Sequence, residues 1–108
     1  MRDNLDMLWQ MIVDSYTRSP RDVQTVPLKG NGIWFYAFSQ NGEVCVSQAR
    51  SHFDSSQVQG ARRLDKNNCD AVFQLYQRRK AGEPVSQEAT ALTQNQVYWY
   101  GIFHDLSF

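Results

Sequence analysis

Cysteine, proline and an excess of one charge are all scarce in this sequence, and each scarcity excludes something. The two cysteines, Cys45 and Cys69, form no CxxC pair and follow no secretory signal, so they read as reduced thiols rather than a disulfide staple. Eleven Lys plus Arg against eleven Asp plus Glu give a formal net charge of zero. That balance removes the general field that draws a protein to nucleic acid or to an anionic membrane. The opening stretch, 1–14, has acids inside its apolar part, no small-residue cleavage site and no apolar run of bilayer-spanning length. A soluble, cytoplasmic protein with no membrane contact is expected. With only three prolines and 42% hydrophobic residues, the chain is too apolar to stay disordered. Its 108 residues suffice for one domain, 1–108, with its own core, and are too few for two.

What is present is a set of periodic segments. Leu5, Leu8, Trp9, Ile12 and Tyr16 recur at steps of three and four, which predicts an amphipathic N-terminal helix from Asp3, as N-cap, to about Arg18. Ser19-Pro20 stops it. Prolines and glycines then mark irregular backbone, with a short edge strand around Thr25 and Val26. The run Gly32 to Ser39 reads as a strand wanting cover on both faces, and Asn41-Gly42 turns it into a second strand, Glu43 to Ala49. Residues 50–60 are polar and read as a surface loop. Asp65, Asn67 or Asn68 caps a helix over about 65–81, which Gly82 closes. A short helix follows over 86–92. Thr93 and Gln96 have the spacing of a capping box, opening a last helix over 94–106. A strand from Gln96 to Phe103 competes with it, because QVYWYGIF is dense in β-favouring residues. The whole predicts an α+β domain with helices on one face of a small antiparallel sheet, whose third strand comes from 24–28, from Gln96 onward or from a partner chain.

Few constellations carry chemistry. Val85 to Ala89 followed by Gln94, Asn95, Gln96 and Tyr98 resemble a helix-turn-helix, with Arg62, Arg63, Arg78, Arg79 and Lys80 available to phosphates. The interval from Val85 to Val97 is about one helical turn too short for two helices and a turn, and the neutral charge argues against it too. Nucleic-acid contact through Arg62, Arg63, Arg78, Arg79, Gln94 and Asn95 is therefore the alternative, not the main reading. Ser51, His52, Asp54, Ser55 and Ser56 hold a nucleophile, a base and a carboxylate within one loop, but neighbours in a loop rarely supply triad geometry. His104-Asp105 fits a helix C-terminus, where a histidine meets free carbonyls. The cysteines and histidines form no paired-ligand spacing, and Gly30-Asn31-Gly32 precedes a strand, the wrong context for a phosphate loop. No catalytic residue, metal or cofactor is implied.

The aromatics are the strongest signal. Trp34, Phe35 and Tyr36 are consecutive, as are Tyr98, Trp99 and Tyr100, so neither set can face a single core. Trp34, Tyr36, Tyr98, Trp99 and Tyr100 are thus expected at a second buried surface. A homodimer interface is its simplest source, since interface cores are enriched in Tyr, Trp and Phe. An aromatic-lined small-molecule pocket is the rival.

The segment Gly42 to Leu106, through Tyr76-Gln-Arg-Arg79, Ala81 to Thr90 and Thr93 to Ile102, resembles small bacterial proteins of the integron-cassette kind, carried in mobile gene pools. The resemblance spans roughly the last three fifths of the chain. It implies a bacterial cytoplasmic setting and an accessory role, and brings no catalytic residues with it. The expectation is a non-enzymatic interaction protein, homodimeric through its aromatic surface and able to meet another protein there.

Overall fold

The computed structural model describes residues 2–108, with side chains from Met7 onward. Helix α1 spans Arg2–Arg18 and buries Leu8, Trp9, Ile12, Val13 and Tyr16 on one stripe. Because it already begins at Arg2, Asp3 lies inside the first turn and is not its cap. Strands β1 (Arg21–Gln24), β2 (Trp34–Gln40), β3 (Glu43–Gln48) and β4 (Arg62–Leu64) form an antiparallel sheet in the order β1-β2-β3-β4. A 3-10 turn, Lys66–Asn68, leads into α2 (Cys69–Lys80), followed by α3 (Ser86–Leu92) and α4 (Gln96–Asp105). The α+β arrangement is as the periodicities predict. Asn41 and Gly42 carry φ of 55° and 75°, the paired left-handed geometry of a two-residue hairpin turn.

Three local expectations are corrected. The edge strand lies at Arg21–Gln24 rather than at Thr25 and Val26. Thr25 instead closes its end, giving its N–H to the Ile33 carbonyl at 2.8 Å and accepting the Ile33 N–H on Oγ1 at 3.0 Å. Strand β4 was unforeseen, because two of its three residues are charged and Leu64 alone is buried. The stretch 50–60 is not wholly surface: Ser56 and Val58 are buried, and the Trp34 and Ser56 amides pair with Asp54 and Trp34 carbonyls.

The last helix resolves the contest between helix and strand at Gln96–Phe103 in favour of helix. It begins later than Gln94, at Gln96, and without a capping box. Thr93 Oγ1 accepts from the Asn95 N–H at 3.0 Å, while the Gln96 amide turns to Thr90 Oγ1. Every residue from Tyr98 to Phe103 is buried, the pattern of a helix enclosed on all sides. Each ring meets a different element. Tyr98 stands edge-on to Phe35 of β2 at 5.0 Å, Trp99 faces Trp9 of α1 at 6.1 Å, and Tyr100 meets Tyr76 of α2 at 5.8 Å. Phe103 packs on Phe73 and Tyr76. The helical splay that seemed to exceed one core is what lets α4 touch sheet and helices together. Tyr98, Trp99 and Tyr100 therefore lie inside the chain's own core and not on a second surface.

Candidate functional site

Strand β2 alternates. Phe35 and Ala37 point into the helix-covered core with Val23, Val44 and Val46, leaving Trp34, Tyr36 and Phe38 half-buried on the other face. Their cross-strand neighbours there are Gln24 and Asp22 of β1 and Ser47 and Cys45 of β3, with Arg63 of β4 beyond Cys45. Three aromatic rings at two-residue spacing thus run along a central strand of this face.

Asp22 attaches the following loop to the row. Its carboxylate accepts the Arg50 N–H at 2.9 Å, the Ser51 N–H at 2.7 Å and His52 Nδ1–H at 2.8 Å, and its side chain is only 4% exposed. The loop therefore folds back so that the His52 ring stacks on Trp34, with centroids 3.5 Å apart and planes within 8°, and the Arg50 guanidinium sits 4.1 Å from the Tyr36 centroid. The Ala49 N–H donates to Ser55 Oγ at 2.8 Å. Between these tethers Phe53 projects fully into solvent, with a relative exposure of 104%. Phe53 is the most exposed of the large hydrophobic side chains among the described residues.

Burial by itself would raise the Asp22 pKa. The hydrogen bonds from Arg50, His52 and Ser51, with the charge of His52, outweigh it and hold the group below its ordinary 3.8. A depressed carboxylate stabilises the folded loop above its unfolded value and loses that contribution as pH falls through the native one. The anchor's contribution is thus expected to be full above pH 3.8, to shrink below it, and to be gone once pH has fallen past the lowered native value. Asp22→Asn is expected to release the loop at neutral pH, at a stability cost of about 1–3 kcal/mol. Amide exchange at Arg50 and Ser51, together with the His52 ring shifts, reads both effects. Unchanged protection in the variant contradicts the anchor.

The other predicted residues scatter. His52 meets Asp22, not Asp54. Ser55 Oγ bonds the Ala49 amide and the Ser56 carbonyl, and Ser56 Oγ meets the Tyr98 hydroxyl at 2.5 Å. Among the described residues no hydroxyl is hydrogen-bonded to His52. Arg62 bonds Asn95 Oδ1 at 3.0 Å, so the fold brings these two nucleic-acid candidates together. Arg63 pairs with Glu43, and Arg78 with Glu83 and Glu88. Arg79 turns inward to the Val26 carbonyl and the Tyr100 ring, and Gln94 is exposed. Burial raises both thiols, that of Cys69 to about 12, so neither is a ready nucleophile. Among the described residues no three His, Cys, Asp or Glu side chains gather as metal ligands, and no helix is long and apolar enough to cross a membrane.

Phe38, Phe53 and Asp22 escaped the sequence reading. Phe38 had a signal in the period-two series with Trp34 and Tyr36. Phe53 had one only as an isolated ring in a polar stretch. Asp22 had none, its partners being remote in sequence. Comparison of the chain with protein-family models, with curated proteins and with solved structures finds no match.

Proposed function

We propose that this chain is a non-enzymatic interaction protein that pairs with a second copy of itself through the sheet face of Trp34, Tyr36 and Phe38. The observation that carries this is the aromatic row ending beside the projecting Phe53. Rings on a rigid strand give large contact area at low entropic cost, and Arg50 above Tyr36 adds the other residue type favoured in interface cores. A second copy is the favoured occupant because the chain has no net charge to repel its twin, and closed twofold pairs are the commonest assemblies. A polyanion is a poorer fit. It would compete with Glu43, Glu83 and Glu88 for the arginines, and with His52 for the stacking face of Trp34. A cytoplasmic, accessory role in a bacterium is part of the same proposal.

Light scattering at low micromolar concentration is expected to give twice the 12.5 kDa protomer mass. The mass should be insensitive to salt, as befits an apolar contact. A mass of one protomer throughout that range overturns the reading. Salt-steep binding of a single-stranded oligonucleotide by such a monomer would transfer the face to nucleic acid.

A further inference from the structure

On the helix side of the sheet, the segment Thr25 to Leu28 joins the end of α2, helix α3 and the start of α4 around a cavity of about 240 Å³. Val26, Leu28, Val85, Ala89 and Val97 make its walls largely apolar. Two of its polar atoms are unmatched. The Tyr100 hydroxyl and Gln96 Oε1 are buried without hydrogen-bond partners, and Tyr100 as a whole is only 6% exposed. A buried polar atom left unpaired is costly and calls for an explanation.

Arg79 supplies the charge. Its guanidinium lies 4.8 Å from the Tyr100 ring centroid and gives one Nη2 bond to the Val26 carbonyl. Among the described residues no carboxylate pairs with it. The contrast with its neighbour is sharp, because Arg78 holds Glu88 through both terminal nitrogens and Glu83 through Nε. The chain thus neutralises one of two adjacent arginines and leaves the other at a cavity beside an idle phenol.

We propose that this cavity binds a small monocarboxylic acid with an apolar body, its carboxylate held by Arg79 and, after a side-chain shift that uncovers it, by the Tyr100 hydroxyl. A carboxylate has acceptors for both donors and offers charge-assisted bonds in a partly desolvated place. Burial raises the Tyr100 phenol above its ordinary value despite the opposing charge of Arg79, so the hydroxyl keeps its proton and donates. The body lies against Val85, Ala89 and Val97. Gln96 Oε1 is left to accept from an amine or hydroxyl on the ligand. The volume falls below the ~300–1,000 Å³ of drug-sized sites, which limits the acid to about the size of an amino acid. None of these residues belongs to the aromatic sheet face, so the proposal stands apart from dimerisation.

The test titrates the full chain with leucine, 4-methylpentanoate and phenylacetate up to about 10 mM, ten times a 1 mM dissociation constant, following amide shifts by NMR. At least one acid is expected to shift Arg79, Ala89, Val97 and Tyr100. The uncharged 4-methylpentanamide is expected to bind at least about ten-fold more weakly than its acid. Arg79→Gln is expected to abolish binding. Tyr100→Phe is expected to keep an unfolding midpoint equal to or above that of the parent, since it removes only an unmatched hydroxyl, while weakening the acid about ten-fold. Absence of shifts with all three acids overturns the proposal. So does equal binding of the amide, undiminished binding by Tyr100→Phe, or a lowered midpoint in that variant, which would mean the hydroxyl already has a partner.

Discussion

Phe53→Asp is expected to turn the proposed dimer into a monomer while leaving the protomer as stable as before. The ring is fully exposed in the protomer, so its removal opens no cavity and loses no burial. In a twofold pair the same ring would be desolvated, and loss of such an aromatic anchor commonly costs about 2 kcal/mol or more, roughly a 30-fold rise in dissociation constant. The introduced carboxylate adds an unpaired charge at the same place, once from each copy. Sedimentation or light scattering over a dilution series gives the dissociation constant, and thermal unfolding of the dilute protein gives the control. A dimer of undiminished affinity would place the interface elsewhere.

Trp99→Ala is expected to have the largest effect on the fold itself. Trp99 is completely buried between Trp9 and Phe103, at centroid distances of 6.1 and 5.8 Å. Truncating a ring so enclosed removes its transfer energy and leaves a cavity, a loss of about 3–5 kcal/mol. A small domain has only about 5–15 kcal/mol in total, so the variant should be marginal near body temperature. Urea unfolding of dilute protein should show a lowered midpoint at unchanged slope. The same experiment separates core from interface. A Trp99 at a dimer contact would leave the unfolding of the isolated protomer intact and change only the mass. A loss below about 1 kcal/mol would contradict the enclosed position of α4.

The legible parts of the fold share one property, short range in sequence. The stripe Leu8, Trp9, Ile12 and Tyr16 repeats within a few turns, and the Asn41-Gly42 hairpin needs only the two residues that accept positive φ. Gly82, at φ 92°, closes α2 for the same local reason. Strand β4 was illegible because Arg62 and Arg63 are exposed and only Leu64 joins the core, leaving no alternation to detect. Half of the candidate face was legible as the alternation of Trp34 and Tyr36. Its loop was not, because Asp22 and His52 look like unrelated polar residues until the backbone turns them towards each other.

By itself the sequence determined an α+β chain of one domain size, its N-terminal helix, its central hairpin and an aromatic content of 13%. The tertiary structure alone decided where each ring goes. Six successive residues of α4 are buried because sheet, α1 and α2 surround that helix, a fact that no single-element periodicity contains. Two glycines show the same division. A Cβ on Gly32 would stand 1.8 Å from the Thr25 carbonyl oxygen, and one on Gly101 would stand 3.0 Å from Gln24 O and Phe35 Cε1. Their need for glycine is a matter of close approach rather than of local conformation. Such approach depends on distances between residues remote along the chain, which local preference does not encode until the packed fold brings them together.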